Sequence, residues 1–311
     1  GSDTWGGIFF MLPYMEQSAA YDTILAGAVK YYETHPSTLY NADKISISPI
    51  FATLIINTLC CPSDAYAARV AQGGDTTGLS CGTSIMFSGA ECTVGYHEIQ
   101  NQSNVMGWYV VDAMRARTMF SMGYWQSISA VIDGTSNTLA ASESLTVETE
   151  KCDFTTPYSN KIGGGIAAAG TSLRNSSSGG PALSATLKTS VCMNTRSSTE
   201  PKYYNIAGAR SFRGRRFALG YASMVTVNTI LPPNSPSCGT GDFKAWGIFS
   251  ASSNHSGGVN GVMADGSVRF FSNTIDCGDL SVDHLFDYTG PSQFGVWGAI
   301  GSINGGETIA L

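Results

Sequence analysis

The stretch Ser253-Asn254-His255-Ser256-Gly257-Gly258-Val259-Asn260-Gly261-Val262-Met263-Ala264-Asp265-Gly266-Ser267-Val268-Arg269-Phe270-Phe271 decides how this chain reads. Apolar residues alternate on both sides of Asp265-Gly266, which predicts a β-hairpin. Asp-Gly readily takes positive φ at both central positions of a type I′ turn. A two-residue loop there pairs Met263 with Val268 and Gly261 with Phe270. Val259, Gly261, Met263, Val268 and Phe270 then share one face, and Gly261 leaves room for the Phe270 ring.

Outward from the hairpin, the chain reads as α+β. Pro13 suits the first position of a helix over residues 5–35. Tyr14, Ser18, Tyr21, Leu25, Ala28 and Tyr32 form its apolar stripe, with Ile24 and Val29 beside it, and it ends near His35-Pro36. Ile45 to Leu59 reads as one or two strands. Val105–Ala113, Leu139–Val147 and parts of 204–231 also read as strands of an antiparallel sheet. Residues 65–104 and 150–203 are rich in Gly, Ser and Thr and read as loop insertions. All 311 residues fit a single domain with ample core.

Charged residues make up 13% of the chain, about half the roughly 25% usual in soluble domains. The net charge of −6 argues against nucleic acid as a partner. Eight cysteines in a charge-poor chain point to an extracytoplasmic, oxidising compartment. Near-neighbour pairing predicts Cys81 with Cys92 and Cys152 with Cys192. The adjacent Cys60 and Cys61 point to different partners, or one stays a thiol. The sequence starts Gly1-Ser2-Asp3, so the segment that exports or anchors the protein is expected to lie before it. No apolar run reaches the roughly 18–20 residues of a membrane span.

Few residues suggest chemistry. His255 and Asp265 tempt a catalytic reading, but a strand of about 3.3 Å per residue puts them at opposite ends. No G-x-S-x-G elbow is present, and nothing assembles a nucleophile, base and oxyanion site, so no enzyme is expected. Asp133-Gly134-Thr135-Ser136-Asn137 is dense in oxygen ligands. It reads either as a calcium site using Asp133 and Asn137 or as Asx- and ST-turn chemistry. No other metal or cofactor is expected. Arg210, Arg213, Arg215 and Arg216 read either as a patch for an anion, polysaccharide or neighbouring subunit, or as a solvated strand face.

Four segments together resemble a known family. Trp5-Gly6 precedes Leu12-Pro13-Tyr14-Met15-Glu16-Gln17, with Tyr21 beyond. Leu59-Cys60-Cys61-Pro62-Ser63-Asp64 places Cys61 at the family's cysteine. Ile132-Asp133-Gly134-Thr135-Ser136-Asn137-Thr138 is followed by Glu143. His255 is separated by nine residues from Asp265-Gly266. In this order the segments resemble a bacterial pilin-like family of unknown function with a prepilin-type cleavage and methylation segment, similar to type II secretion pseudopilins.

The resemblance implies an N-terminal helix packed on an antiparallel sheet, carried by a preceding basic leader and hydrophobic helix. It implies anchoring in the inner membrane, self-association or association with other pilin-like subunits through that helix, and a non-enzymatic role in a type II secretion or type IV pilus-like surface assembly. The alternative is an extracellular head that binds a glycan or protein ligand.

Overall fold

The computed structural model describes residues 5–34, 54–65, 67, 85–88, 97–100, 106–109, 117–120, 126–146, 161–168, 186–206, 213–214, 217–218, 220, 222–239, 247–285 and 290–307. They form an α+β fold with N-terminal helices and small, mostly antiparallel sheets. Helix α1 (Gly7–Met11) runs into a 3-10 turn, Leu12–Met15, with Pro13 in its first positions. Glu16, at φ 59°, ends that turn in the left-handed region. Helix α2 (Ser18–Thr34) follows.

The buried side of α2 is Ala20, Ile24 and Ala28, at helical spacing of four. This corrects the expected stripe in part: Ala28 is buried and Tyr21 and Tyr32 pack on the core as expected, while Leu25 is 42% and Tyr14 90% exposed. Two alanines flanking an isoleucine let the helix approach the core closely. Tyrosines have apolar bodies and polar tips, so their spacing does not by itself report the buried face.

The main sheet has five strands: β1 (Ile85–Ser88), β4 (Leu139–Glu143), β7 (Thr226–Val227), β10 (Gly258–Met263) and β11 (Val268–Ser272). Their order is β11-β10-β4-β1-β7, antiparallel except for β1 with β7. Smaller sheets pair β2 (His97–Gln100) with β3 (Met106–Tyr109), and join β5 (Ala167–Ala168), β8 (Cys238–Gly239) and β9 (Gly247–Ile248). β6 (Thr186–Leu187) pairs with β12 (His284–Leu285).

Several segments differ from their expected form. Residues 65–104 contribute two strands, β1 and β2. Asn57–Leu59 is a 3-10 turn rather than strand. Among the described residues of 204–231, the regular elements are helix α4 (Ala222–Val225) and β7, while helix α3 (Thr189–Met193) lies in the expected insertion. Helix α5 (Gly295–Gly301) carries Trp297 into the core near the end of the chain.

The hairpin is present, with a different register. Met263 N–H donates to Ser267 O (2.8 Å), and Gly266 N–H donates to Met263 O (2.9 Å). The loop is therefore Ala264-Asp265-Gly266, with the third residue in the left-handed region at φ +85°. This is a three-residue loop with a glycine bulge, not a two-residue type I′ turn. The extra residue slips the second strand by one and exchanges its faces. Val262 pairs with Val268 and Val259 with Phe271.

Phe271 is consequently buried, while Val268 and Phe270 are 66% and 52% exposed. It is the Phe271 ring that lies over Gly261, where a Cβ would come within 2.7 Å of Cε2. Phe271 packs on Trp297 with ring centroids 5.3 Å apart. Burying a ring of that size contributes roughly 2–3 kcal/mol.

Ile24, Ala28, Leu139, Val259, Phe271 and Trp297 belong to one apolar cluster, so helix α2 and the main sheet share a core. A second cluster gathers Ile162, Leu187, Tyr204, Leu231, Ile248 and Phe294 around a Cys192–Cys238 disulfide. That bridge corrects the expected Cys152–Cys192 pairing: α3 and β8 pack together, and side-chain proximity selects the partner. Cys81, Cys92 and Cys152 lie outside the described residues.

Candidate functional site

Three of the four sequence motifs converge at one end of the main sheet. Cys61-Pro62-Ser63-Asp64 closes as a turn, with the Asp64 amide donating to Cys61 O (2.9 Å). Asp64 is buried and its carboxylate accepts the Thr146 amide (2.8 Å) and hydroxyl (3.0 Å). These bonds fasten the turn to the chain just beyond β4. Asn254 Nδ2 donates to Ser63 O (2.7 Å), fastening the same turn to the loop before β10.

Glu143 ends β4 between them. Its Oε2 accepts the Asn260 amide (2.8 Å), and its Oε1 lies 3.3 Å from Asn260 Nδ2 and 3.1 Å from His255 Nε2. Ser253 orients the loop: its hydroxyl donates to Gly258 O (2.8 Å) and accepts the His255 amide (3.1 Å). Cys61 Sγ stands 3.0 Å from Ser63 Oγ. Cys61, Glu143 and His255 each offer a ligand atom, and the three atoms lie within 4.8 Å of one another. Cys61 and Glu143 are half-buried and His255 is exposed, so the cluster opens to solvent.

The other motif contacts concern the hairpin tip. Ala264 N–H donates to Thr138 O (2.7 Å) and Asp265 N–H to Thr135 O (3.0 Å), so the Asp133–Thr138 loop receives the turn. Asp265 accepts the Ser267 hydroxyl (2.7 Å) and amide (2.9 Å), and these bonds hold its carboxyl below the usual carboxylate range. Asp265 thus serves the turn while His255 meets Glu143.

A family model described as Protein of unknown function (DUF1559) matches residues 2–278. The chain belongs to this family. No curated protein and no solved structure matches it.

In this DUF1559 chain the remaining motif residues serve local structure. Trp5 packs on Phe9 with tilted rings, centroids 4.4 Å apart. Pro13 starts the 3-10 turn that Glu16 ends, and the Gln17 amide closes back on Leu12 O (2.9 Å). Asp133 uses both carboxylate oxygens on the amides of Gly305 (2.6 Å) and Gly306 (3.0 Å). Asn137 Nδ2 donates to Asp133 O (3.2 Å), and Gly134 takes φ +99°. The Asn137 bond is local to the turn, whereas the Asp133 carboxylate ties the segment to the Gly305-Gly306 backbone.

Arg213 is 1% exposed, which corrects its assignment to a surface patch. Its guanidinium donates to Ser144 Oγ (3.2 Å) and to the Thr226 carbonyl, and lies 5.6 Å from the Phe249 ring centroid. Burial pushes it down to about 9. Arg210, Arg215 and Arg216 lie outside the described residues.

Sequence reasoning overlooked the meeting of Cys61, Glu143 and His255. Glu143 and His255 are 112 residues apart, and no local spacing announces such a pair. The available signal was that each residue sits in a separate motif whose local structural role was incomplete.

Proposed function

We propose that this chain is the head of a pilin-like surface subunit, non-enzymatic in itself. Membership of the DUF1559 family over residues 2–278 carries this reading. The ordered motifs that resemble prepilin-type proteins agree with it. So does the N-terminal helix α2, whose Ala20–Ile24–Ala28 side shares a core with the sheet. Among the described residues no helix is long and apolar enough to cross a membrane. By its resemblance to prepilin-type proteins, the reading assigns anchoring and subunit contact to a hydrophobic N-terminal helix of the full-length protein and puts the head outside the cytoplasm. Assembly would then follow type II secretion or type IV pilus-like logic, with helix packing in the fibre and heads outward.

The test is the product of the complete gene in its native host. Membrane fractionation, with a mature N-terminus that is cleaved and methylated by mass spectrometry, is the expected result. Unprocessed protein confined to the cytosol would overturn the proposal.

A further inference from the structure

Where the Cys61–Asp64 turn, the end of β4 and the loop before β10 meet, three different donor types from three separated segments lie within 4.8 Å of one another. We propose that Cys61, Glu143 and His255 form a binding site for a divalent transition metal of the zinc class. Thiolate sulfur, imidazole nitrogen and carboxylate oxygen are the ligands zinc takes, at about 2.3, 2.0–2.1 and 2.0–2.2 Å. Tetrahedral ligand atoms at those lengths stand roughly 3.3–3.7 Å apart. The observed spacing needs only small side-chain rotations to reach it. His255 Nε2 and Glu143 Oε1, at 3.1 Å, are almost there, with a metal replacing the proton between them. The hard cations calcium and magnesium prefer oxygen alone, so sulfur and imidazole select against them.

The neighbours hold the ligands as a metal site requires. The Asn260 amide fixes Glu143 Oε2 (2.8 Å), which turns Oε1 toward His255. The Ser63 hydroxyl is within hydrogen-bond reach of Cys61 Sγ at 3.0 Å. Asn254 Nδ2 on Ser63 O (2.7 Å) ties the loop of His255 to the turn of Cys61. Among the described residues three protein ligands stand at a solvent-open cluster, which gives water or an incoming donor access to a fourth position. That is the pattern of exchangeable or reactive zinc sites rather than closed structural ones.

Titration calorimetry with zinc chloride on the whole chain tests the proposal, with cobalt substituted for zinc as a spectroscopic probe. One zinc per chain and a thiolate-to-cobalt charge-transfer band are expected. Cys61→Ser should abolish the band. Cys61→Ser and His255→Gln should each weaken zinc by more than the roughly 10–100-fold that loss of an outer partner costs. Cys60→Ser should leave binding and band intact. Circular dichroism of the metal-free variants checks folding, and the exposed His255 carries the test if Cys61→Ser does not fold. No zinc binding by the folded chain would overturn the proposal. Binding unchanged in His255→Gln, or a band that survives Cys61→Ser, would overturn it equally.

Discussion

Glu143 Oε1 stands 3.1 Å from His255 Nε2, while the other oxygen of the same carboxylate accepts the Asn260 amide at 2.8 Å. One side chain thus joins β4 to β10 and to the loop that precedes it. The two partners depend on it unequally. Glu143→Ala leaves the Asn260 N–H without its acceptor, so it should cost about 1–3 kcal/mol. His255→Ala removes an exposed partner and should cost less than about 1 kcal/mol. Urea unfolding of both variants checks this order. Equal losses would contradict it.

Asp64 is the buried clasp between the Cys61–Asp64 turn and Thr146, taking both its amide and its hydroxyl. Hydrogen bonds to a charged acceptor contribute more than neutral ones, so Asp64→Ala should destabilise by about 2–3 kcal/mol. Thr146→Val removes only the hydroxyl donor and should cost less. The difference is readable in denaturant midpoints at unchanged slope.

Gly266 holds φ +85° in open space, where an added Cβ meets nothing within 4 Å. The cost of substitution is therefore conformational rather than steric crowding. Gly266→Val should destabilise by about 1–3 kcal/mol. Gly266→Asn should do less harm, since asparagine tolerates the left-handed region. A Gly266→Val protein with an unshifted melting temperature would contradict the bulged loop.

The Cys192–Cys238 bridge spans 46 residues within the second apolar cluster. Replacing both cysteines with alanine should cost about 2–5 kcal/mol, mainly by freeing the unfolded chain. Calorimetric melting of the double variant measures the loss.

Cys277 is a buried thiol whose environment, chiefly burial and then Asp276, pushes it up to about 12 from 9.0. The fold holds the neutral thiol more strongly than the unfolded chain does. Its contribution is full below pH 9 and is lost as pH rises towards 12. Cys277→Ala should therefore flatten part of the alkaline decline in melting temperature. Alkylation of Cys277 in the native protein should also be slow near neutral pH.

Legibility followed sequence distance. The hairpin and the place of its Asp-Gly tip were readable because alternation and turn chemistry act between neighbours, whereas Pro13 was read as a helix start and opens a 3-10 turn instead. The hairpin register was not, because a single added residue in the loop exchanges which face Phe270 and Phe271 present. The helix was found with Ala28 on its buried side, but Tyr14 and Leu25 of the expected stripe are exposed, and Ala20 and Ile24 complete the buried side instead.

What the sequence determined by itself was an α+β chain carrying the hairpin around Asp265-Gly266, and four motif segments in order. Local propensity and hydrophobic period suffice for the α+β reading and the hairpin, while the motif segments rest on their resemblance to a known family. Only the tertiary structure decided that Cys192 meets Cys238, that Arg213 turns inward, and that Cys61, Glu143 and His255 share one opening. Each of these joins segments tens to more than a hundred residues apart. Such encounters are selected by burial of the shared core, and no local pattern encodes them.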